Sequence, residues 1–344
     1  MRPRAYALAL GAGAALLFLT VAATNLLIDP QGVFNTAVLP VGETNTRYTR
    51  FLDYQKSADS YDGLLFGSSR AGAMPREDLS RRTGVKFANF AVEYGLITDH
   101  LPVLEYVIKE KTAKHLPLKT VFLLLDLDFF GDRPHTNESL RFLLPPEVNG
   151  ERYARFWWRN LTGIQYQAWT LAISNAWRIR RGHNPPATMD ILARYVAAAG
   201  STQAAAAEIA ELPKPQEGNR PGAIVRIPDR LDFQNQYRLL ERFVAMCRAH
   251  NVSLIVATSP LSREWAIDFD PEDLRQVADI VSGVVPLWDF TDPKGLPDDP
   301  AVWVDRWHFR EPVGRLMLDR VFGAEMPAGW QDFGRLRLRA LPVI

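Results

Sequence analysis

The chain has 344 residues, of which 47% are apolar and 23% charged, so it can bury a sizeable core, and a mainly disordered or collagen-like protein is excluded. Its 40 basic and 39 acidic residues leave no cationic excess for phosphates, which disfavours nucleic-acid binding. The single cysteine, Cys247, excludes an intramolecular disulfide and a cysteine-cluster metal site, and its apolar-periodic surroundings predict a buried residue.

The first predicted element is a membrane-spanning helix. Residues 5–28 carry no charge, and a helix that crosses the hydrocarbon core needs roughly 20 apolar residues. Arg2 and Arg4 precede this segment, whereas the next basic residue is Arg47, so the positive-inside rule predicts a cytoplasmic N-terminus and an extracytoplasmic remainder. A cleavable signal peptide is the alternative, because residues 21–23 are small. The apolar run continues beyond them, which favours an uncleaved anchor formed by residues 1–28.

Behind the anchor, residues 29–60 are mostly polar and include the turn formers Pro40 and Gly42, so we predict a stalk. From residue 61 onward, short apolar runs alternate with helical patterns, and near-continuous runs are typical of parallel strands buried on both faces. The five predicted strands are Gly63 to Phe66, Val85 to Phe90, Thr120 to Leu127, Leu254 to Thr258 and Val284 to Asp289. One predicted helix begins at Thr98, and three more cover about residues 233–250, 271–281 and 312–322.

This alternation predicts an α/β three-layer domain over residues 61–344. Residues 132–230, between the third and fourth strands, are too many for a loop and are predicted to form a helical insertion. An alanine-rich helix at about 189–212 and a linker at 213–221 belong to this insertion. It also holds four tryptophans, which we interpret as core residues rather than a ligand platform: Trp157, Trp158, Trp169 and Trp177.

The residues that follow each strand are the candidates for a site, because ligands of an open parallel sheet bind beyond the carboxyl ends of its strands. Gly67-Ser68-Ser69-Arg70 follows the first strand. A turn of this kind can present a hydroxyl at the sheet edge, with its own N–H directed at a developing oxyanion. Alone the signal is weak, since Gly-Ser-Ser also forms ordinary turns.

The second candidate lies after the last predicted strand, where Asp305 precedes His308 by three residues. A carboxylate that holds one ring nitrogen of a histidine fixes the tautomer in which the other nitrogen can take a proton from serine. Among the six histidines, His308 is the one that combines a position after a strand with such an aspartate. A surface loop with a coincidental charge pair is the alternative interpretation.

With a serine after the first strand and Asp-x-x-His after the fifth, the sequence resembles the SGNH (GDSL-like) hydrolase and acyltransferase superfamily. It is most similar to the membrane-anchored periplasmic branch of polysaccharide-acetylating and D-alanyl-transfer proteins. The resemblance covers about residues 61–131 and 250–323. It implies a flavodoxin-like sandwich with a five-stranded parallel sheet, a cell-surface or secreted glycan as acceptor, and a multi-pass membrane acyltransferase as the acyl supplier.

The resemblance also implies a role for each motif residue. The family's nucleophile is the last residue of the first triplet, which is Ser69 here, with Ser68 as the fallback. His308 is then the general base and Asp305 its orienting partner. Residues 89–95 are similar to the block whose glycine supplies an oxyanion-hole N–H, which makes Gly95 a candidate donor, one residue further along than usual.

The third strand departs from the family pattern. The corresponding block normally ends in an asparagine that donates to the oxyanion, but here Asp126 and Asp128 follow the strand. A carboxylate cannot donate unless it is protonated, and losing one donor typically costs about 100- to 1000-fold in rate. The chain then stabilises the oxyanion with two backbone donors, recruits a side chain such as Arg70 as a further donor, or is a slow catalyst. The two aspartates either position a substrate hydroxyl or Arg70, or are solvated loop residues.

The sequence therefore predicts a serine O-acyl esterase or acyltransferase on a bacterial cytoplasmic membrane, with its C-terminal domain in the periplasm. The expected partners are an acyl donor, a glycan acceptor and the membrane. The alternative is a catalytically weak or inactive SGNH-like scaffold or glycan-binding accessory of a membrane acyltransferase system, and a lipase or thioesterase is a third interpretation. No zinc, calcium-loop, dinucleotide or P-loop motif occurs, so we expect neither a metal nor a cofactor.

Overall fold

A computed structural model describes residues 3–39, 45–130, 143–182, 233–292 and 296–338 of the chain. Its described residues form helices together with one mixed sheet. The chain divides into two compact units, a smaller one of residues 1–51 and 142–193 and a larger one of residues 52–141 and 194–344. The first part of the predicted insertion thus belongs to the same unit as the N-terminal apolar helix.

The larger unit is built on a six-stranded, mostly parallel sheet. Its strands are β1 (Gly63–Gly67), β2 (Phe87–Ala91), β3 (Thr120–Leu125), β4 (Ser253–Thr258), β5 (Leu287–Asp289) and β6 (Arg335–Arg337). They lie in the order β2-β1-β3-β4-β5-β6, and all neighbours are parallel except β5 and β6. Every residue of β1 and β3 is buried, as the near-continuous apolar runs predict.

Strand β6 corrects the prediction of five strands. Its residues, Arg335-Leu336-Arg337, form a pattern too short and too basic to stand out as a strand. The Nε of Arg337 donates to Asp289 Oδ2 at 2.6 Å, and Arg335 Nε lies 3.4 Å from the same oxygen. A tertiary ion pair at the end of β5 therefore holds a strand that local sequence does not favour.

Eleven helices lie in the described residues. In chain order they are α1 (Pro3–Ile28), α2 (Thr46–Lys56), α3 (Arg76–Thr83), α4 (Ile97–Ala113), α5 (Pro146–Asn149), α6 (Tyr153–Thr162), α7 (Tyr166–Arg180), α8 (Phe233–Ala249), α9 (Arg263–Ala266), α10 (Pro271–Ser282) and α11 (Glu311–Val321). The four helices predicted for the α/β domain are α4, α8, α10 and α11. Helix α2 lies in the region predicted as a stalk, and Cys247 in α8 is buried as expected.

The smaller unit contains α1, the start of α2, α5 and the consecutive helices α6 and α7, and we call these last two helices and their link the hairpin. Helix α1 is long and apolar enough to cross a membrane. Near its C-terminal end, the Asn25 amide donates to the carbonyls of Leu161 and Gly163, both at 2.8 Å, and accepts from Trp169 Nε1 at 2.9 Å. These bonds satisfy a fully buried amide that would otherwise be costly.

The tryptophans of the insertion do not all lie in a core. Trp169 is partly buried, but Trp157, Trp158 and Trp177 are each more than half exposed, so the core interpretation is wrong for these three. Helical periodicity cannot distinguish a face that packs on protein from one that faces another apolar medium. The predicted alanine-rich helix at 189–212 and the linker at 213–221 lie outside the described residues.

Candidate active site

Ser69 lies where β1 ends at the carboxyl edge of the sheet, in a short 3-10 turn, Ser69–Ala73. The turn requires glycine at position 67, because the φ of Gly67 is +154° and a Cβ there would lie 2.6 Å from the Cβ of Ala71. The chain therefore leaves the strand abruptly and leaves the Ser69 side chain partly open to solvent.

The fold brings the side chains of Ser69 and His308 into contact. Ser69 Oγ lies 2.8 Å from His308 Nε2, although 239 residues separate them in sequence. On the other side of the ring, His308 Nδ1 lies 2.9 Å and 3.1 Å from the two carboxylate oxygens of Asp305. With the Nδ1 proton donated to Asp305, the Nε2 lone pair faces the serine hydroxyl, which is the arrangement a general base needs.

The backbone fixes Asp305 in this position. Its Oδ1 accepts the N–H groups of Trp307 at 2.8 Å and of His308 at 2.9 Å, so the loop closes on its own carboxylate. The His308 side chain is largely buried. The interpretation of Asp305 and His308 as a coincidental surface pair does not fit this geometry.

The two serines of the motif have different surroundings. Ser68 is 4% exposed, and its Oγ accepts the backbone N–H of Arg70 at 3.1 Å, which caps the turn. The geometry favours Ser69 over Ser68 as nucleophile, because Ser69 is the one that meets the imidazole.

A buried charge cluster lies directly beside the serine turn. The guanidinium of Arg70 donates to both oxygens of Asp128, at 2.7 Å and 2.8 Å, and its Nη1 lies 3.5 Å from Asp126 Oδ1. Ser259 and Trp265 complete the cluster, since Ser259 Oγ donates to Asp126 at 2.5 Å and Trp265 Nε1 donates to Asp128 at 2.6 Å. The two aspartates are buried and position Arg70; they are not solvated loop residues.

Burial and charge set the protonation of this cluster. Burial lowers the pKa of Arg70, but the charges of Asp128 and Asp126 outweigh burial and raise it. Burial raises the pKa of Asp126, against the opposing charge of Arg70. The cluster therefore places one buried cation against two buried acids, with hydrogen bonds from the guanidinium to Asp128. The guanidinium of Arg70 is thus engaged with the aspartates and shielded from solvent.

Gly95 lies at the same edge of the sheet. A Cβ at Gly95 would stand 2.6 Å from the carbonyl oxygen of Gly67 and 2.9 Å from His100 Cε1, so only glycine allows this close approach to the end of β1. Its N–H donates to Val92 O at 3.1 Å in this structure. As an oxyanion donor, Gly95 would have to exchange that bond for one to the substrate.

Sequence reasoning missed a row of aromatic side chains at this edge. Tyr94, Phe129, Trp265 and Trp307 follow β2, β3, β4 and β5 respectively, and successive ring centroids are 6.4 Å, 6.0 Å and 5.7 Å apart. We call these four residues the aromatic strip. The guanidinium of Arg306 lies 4.5 Å from the Trp265 ring centroid and 5.3 Å from that of Trp307. The available signal was an aromatic residue after each of four strands of the sheet.

The site contains no grouping suited to a metal ion: within the part of the chain that the structure describes, no three His, Cys, Asp or Glu side chains converge. No protein-family model matches the chain, and no curated protein is significantly similar to it. The functional argument therefore depends on the geometry of the Ser69, His308 and Asp305 side chains and of their surroundings.

Proposed function

We propose that the chain is a membrane-anchored serine O-acyl esterase or acyltransferase of the SGNH type that acts on a glycan outside the cytoplasmic membrane. The observation that carries this proposal is the contact of Ser69 Oγ with His308 Nε2, with Asp305 on the other ring nitrogen. The order of the five parallel strands, 2-1-3-4-5, is that of flavodoxin-like folds and supports the same family.

The chemistry proceeds in two half-reactions. His308 Nε2 takes the proton of Ser69 as Oγ bonds to the acyl carbon, and then gives that proton to the leaving alkoxide oxygen as the ester C–O bond breaks. The acyl group is left on Ser69. A glycan hydroxyl or water next loses its proton to His308 and attacks the acyl carbon, and the proton returns to Ser69 Oγ as the acyl–serine bond breaks.

Few donors face the oxyanion in this scheme. The backbone N–H of Ser69 opens the 3-10 turn, and the first N–H groups of a helical turn have no partner inside it. Gly95 supplies a second donor only after its N–H leaves Val92. With no asparagine after β3, we expect turnover about 100- to 1000-fold below that of an enzyme with a complete oxyanion hole.

The aromatic strip supports a glycan as the acceptor. Tyr94 and Trp307 are exposed, and Phe129 and Trp265 between them are partly exposed, so the strip is open rather than an enclosed slot. Its rings are not coplanar, since Tyr94 meets Phe129 at 86° and Trp265 meets Trp307 at 74°. Separate sugar rings can contact the exposed aromatic side chains, whereas a linear acyl chain gains most in a closed apolar pocket.

Helix α1 is the proposed anchor, with its N-terminus in the cytoplasm. The uncleaved form is supported by packing, because Ile28 lies in a buried cluster with Ala168 and Ala172, and Phe18 stacks on Trp158. Removal of the segment before residue 24 would take away the Phe18 contact. An anchored enzyme stays beside a membrane-bound acyl supplier, which favours transfer over free hydrolysis.

The test is acetyl-ester turnover by the full-length protein in detergent, with intact mass measured for an acyl-enzyme. We expect Ser69→Ala to abolish both signals and His308→Ala to lower turnover by about 100- to 10,000-fold, because each removes a reacting group. Ser68→Ala is the matched control, since it removes a neighbouring hydroxyl that does not touch the imidazole. Turnover by Ser69→Ala equal to that of the unaltered protein would refute the proposal.

A glycan-binding accessory with lost chemistry is the second candidate. It is favoured by the engaged N–H of Gly95 and by the absence of an asparagine after β3. A fluorophosphonate probe, followed by mass measurement, separates the two candidates. Labelling of Ser69 supports the enzyme, whereas an unlabelled protein that still binds oligosaccharide supports the accessory.

A further inference from the structure

We propose that helices α6 and α7 insert into the bilayer leaflet reached by the C-terminal half of α1, so that the chain enters the membrane as a three-helix wedge rather than by a single span. This inference rests on the proposed membrane anchor and is independent of the chemistry at Ser69. Its partner is the lipid bilayer itself.

The depth of α6 along the anchor is the first observation. The rings of Phe18 and Trp158 stack with centroids 5.4 Å apart and an angle of 25° between their planes. Phe18 lies about three helical turns before Ile28, or roughly 15 Å along the helix axis. The hydrocarbon core is about 30 Å thick. A side chain that meets Phe18 on a spanning α1 is therefore below the headgroups, and Trp158 is more than half exposed there.

The hairpin is also arranged with its large apolar side chains on the outside. In α6 and α7, the buried residues are largely small or polar, whereas the exposed ones include large apolar and aromatic types. The buried residues are Phe156, Asn160, Ala168, Ala172 and Asn175. The exposed large residues of the hairpin are Tyr153, Trp157, Trp158, Ile164, Tyr166, Ile173, Trp177 and Ile179. Two consecutive helices of a soluble protein rarely expose so many large apolar side chains, whereas small and polar residues inside with large apolar residues outside are typical of helices packed in lipid.

The charges of the hairpin fit a shallow insertion. Most arginines lie at the start of α6 and at the end of α7: Arg152, Arg155, Arg178, Arg180 and Arg181. One more, Arg159 in the last turn of α6, is paired with Glu151 at 2.6 Å. The long stems of these arginines can cover apolar surface while the guanidinium groups reach phosphates, and tryptophan is enriched at the same level of the bilayer. The Arg181 guanidinium lies 3.5 Å from the Trp177 ring centroid. Helices of 10 and 15 residues enter a leaflet but are too short to cross both.

The wedge explains why a polar residue is buried near the end of the anchor. Asn25 donates to the carbonyls of Leu161 and Gly163 in the link between α6 and α7. An amide without hydrogen-bond partners is strongly unfavourable in hydrocarbon, where no water can replace them. The hairpin satisfies Asn25 and fixes the rotation of α1 about its own axis, which a lone span does not.

The experiment places single spin labels on the full-length protein in phosphatidylethanolamine and phosphatidylglycerol vesicles. Collisions with oxygen, which concentrates in hydrocarbon, are compared with collisions with a water-soluble nickel chelate. The buried native thiol of Cys247, whose pKa burial raises to about 12, does not compete for the label. The test sites are Trp157→Cys and Trp158→Cys; Leu17→Cys on α1 and the exposed Lys109→Cys are the lipid and water references.

We expect both tryptophan sites to behave like Leu17, with nickel collisions about tenfold fewer than at Lys109, because a polar chelate is excluded from hydrocarbon. Nickel access at both sites equal to that at Lys109, with Leu17 still protected, would overturn the wedge and leave the anchor standing. Nickel access at Leu17 would instead overturn the anchor. Protection from both reagents at the tryptophan sites would mean that protein covers this face, which overturns lipid as its partner.

Discussion

Ser69 is followed in the chain by a guanidinium that does not reach solvent. Arg70 is held by Asp128 through two hydrogen bonds and approached by Asp126, so one cation faces two acids in a buried space. A buried charge is tolerated only when it is balanced and hydrogen-bonded. Replacing each aspartate by asparagine should therefore change the free energy of unfolding by a different amount.

We expect Asp128→Asn to lower the free energy of unfolding by about 3–5 kcal/mol, because it leaves the buried charge of Arg70 without its partner. Asp126→Asn is the matched control and should cost less, because Asp126 approaches the guanidinium only to 3.5 Å, and burial, which raises the pKa of Asp126, disfavours its charged form. Urea denaturation of the detergent-solubilised proteins measures both. Equal losses in the two variants would contradict this assignment of charge.

The pH dependence of the free energy of unfolding gives a second test of Asp126. The folded-state pKa of Asp126 lies above its unfolded value, so its contribution to stability is present at low pH and is lost as pH rises through that window. The stability difference between Asp126→Asn and the unaltered protein should therefore shift in favour of the amide as pH rises above about 4. A difference that does not change with pH would show that folding does not raise the pKa of Asp126.

Tyr94, at one end of the aromatic strip, has a φ of 49° and an exposed ring. The left-handed conformation costs roughly 1–2 kcal/mol for most residues and less for asparagine. We expect Tyr94→Asn to be at least as stable as the unaltered protein but to raise KM for an oligosaccharide acceptor, with small-ester turnover unchanged. His115→Asn, at a φ of 54° outside the strip, relieves similar strain and should leave KM unchanged. An unaltered KM in Tyr94→Asn would remove the strip from acceptor binding.

At the scale of elements, the sequence predicts the strands that consist of one continuous run of apolar residues. Strand β3 is apolar over most of its length, and helices α8 and α10 have regular apolar faces. The sequence does not predict strand β6 or the aromatic strip, because both depend on tertiary contacts. Strand β6 is held by an ion pair to Asp289, and the aromatic residues of the strip come together only when the sheet forms. The exposed tryptophans of α6 escape prediction for another reason, since sequence periodicity does not specify the medium outside a helix.

The attachment of β6 has a predicted pH dependence. Burial raises the pKa of Asp289, but hydrogen bonds from Thr291 and the cation of Arg337 outweigh burial and lower it from its ordinary value of 3.8. A lowered folded-state pKa stabilises the fold above the unfolded value and loses that contribution as pH falls toward the folded value. We expect Asp289→Asn to flatten the loss of stability below about pH 4, measured by thermal denaturation. The same loss of stability below about pH 4 in Asp289→Asn and in the unaltered protein would refute this prediction.

At the scale of the whole molecule, the chain is almost neutral, so its orientation across a membrane depends on local charge rather than on net charge. Arg2 and Arg4 precede the apolar helix, and the next basic residue is Arg47. Basic residues near a span are retained in the cytoplasm. The larger unit that follows should therefore lie outside.

Labelling of Lys109→Cys in intact spheroplasts with a membrane-impermeant maleimide tests this orientation, since Lys109 is exposed and lies in the larger unit. We expect full labelling before lysis. Replacing Arg2 and Arg4 by alanine while introducing Gln31→Arg and Val38→Arg should reduce that labelling, because the charge bias across the helix is reversed. Labelling that requires lysis in the unaltered protein would place the serine site in the cytoplasm, where it could not act on an external glycan.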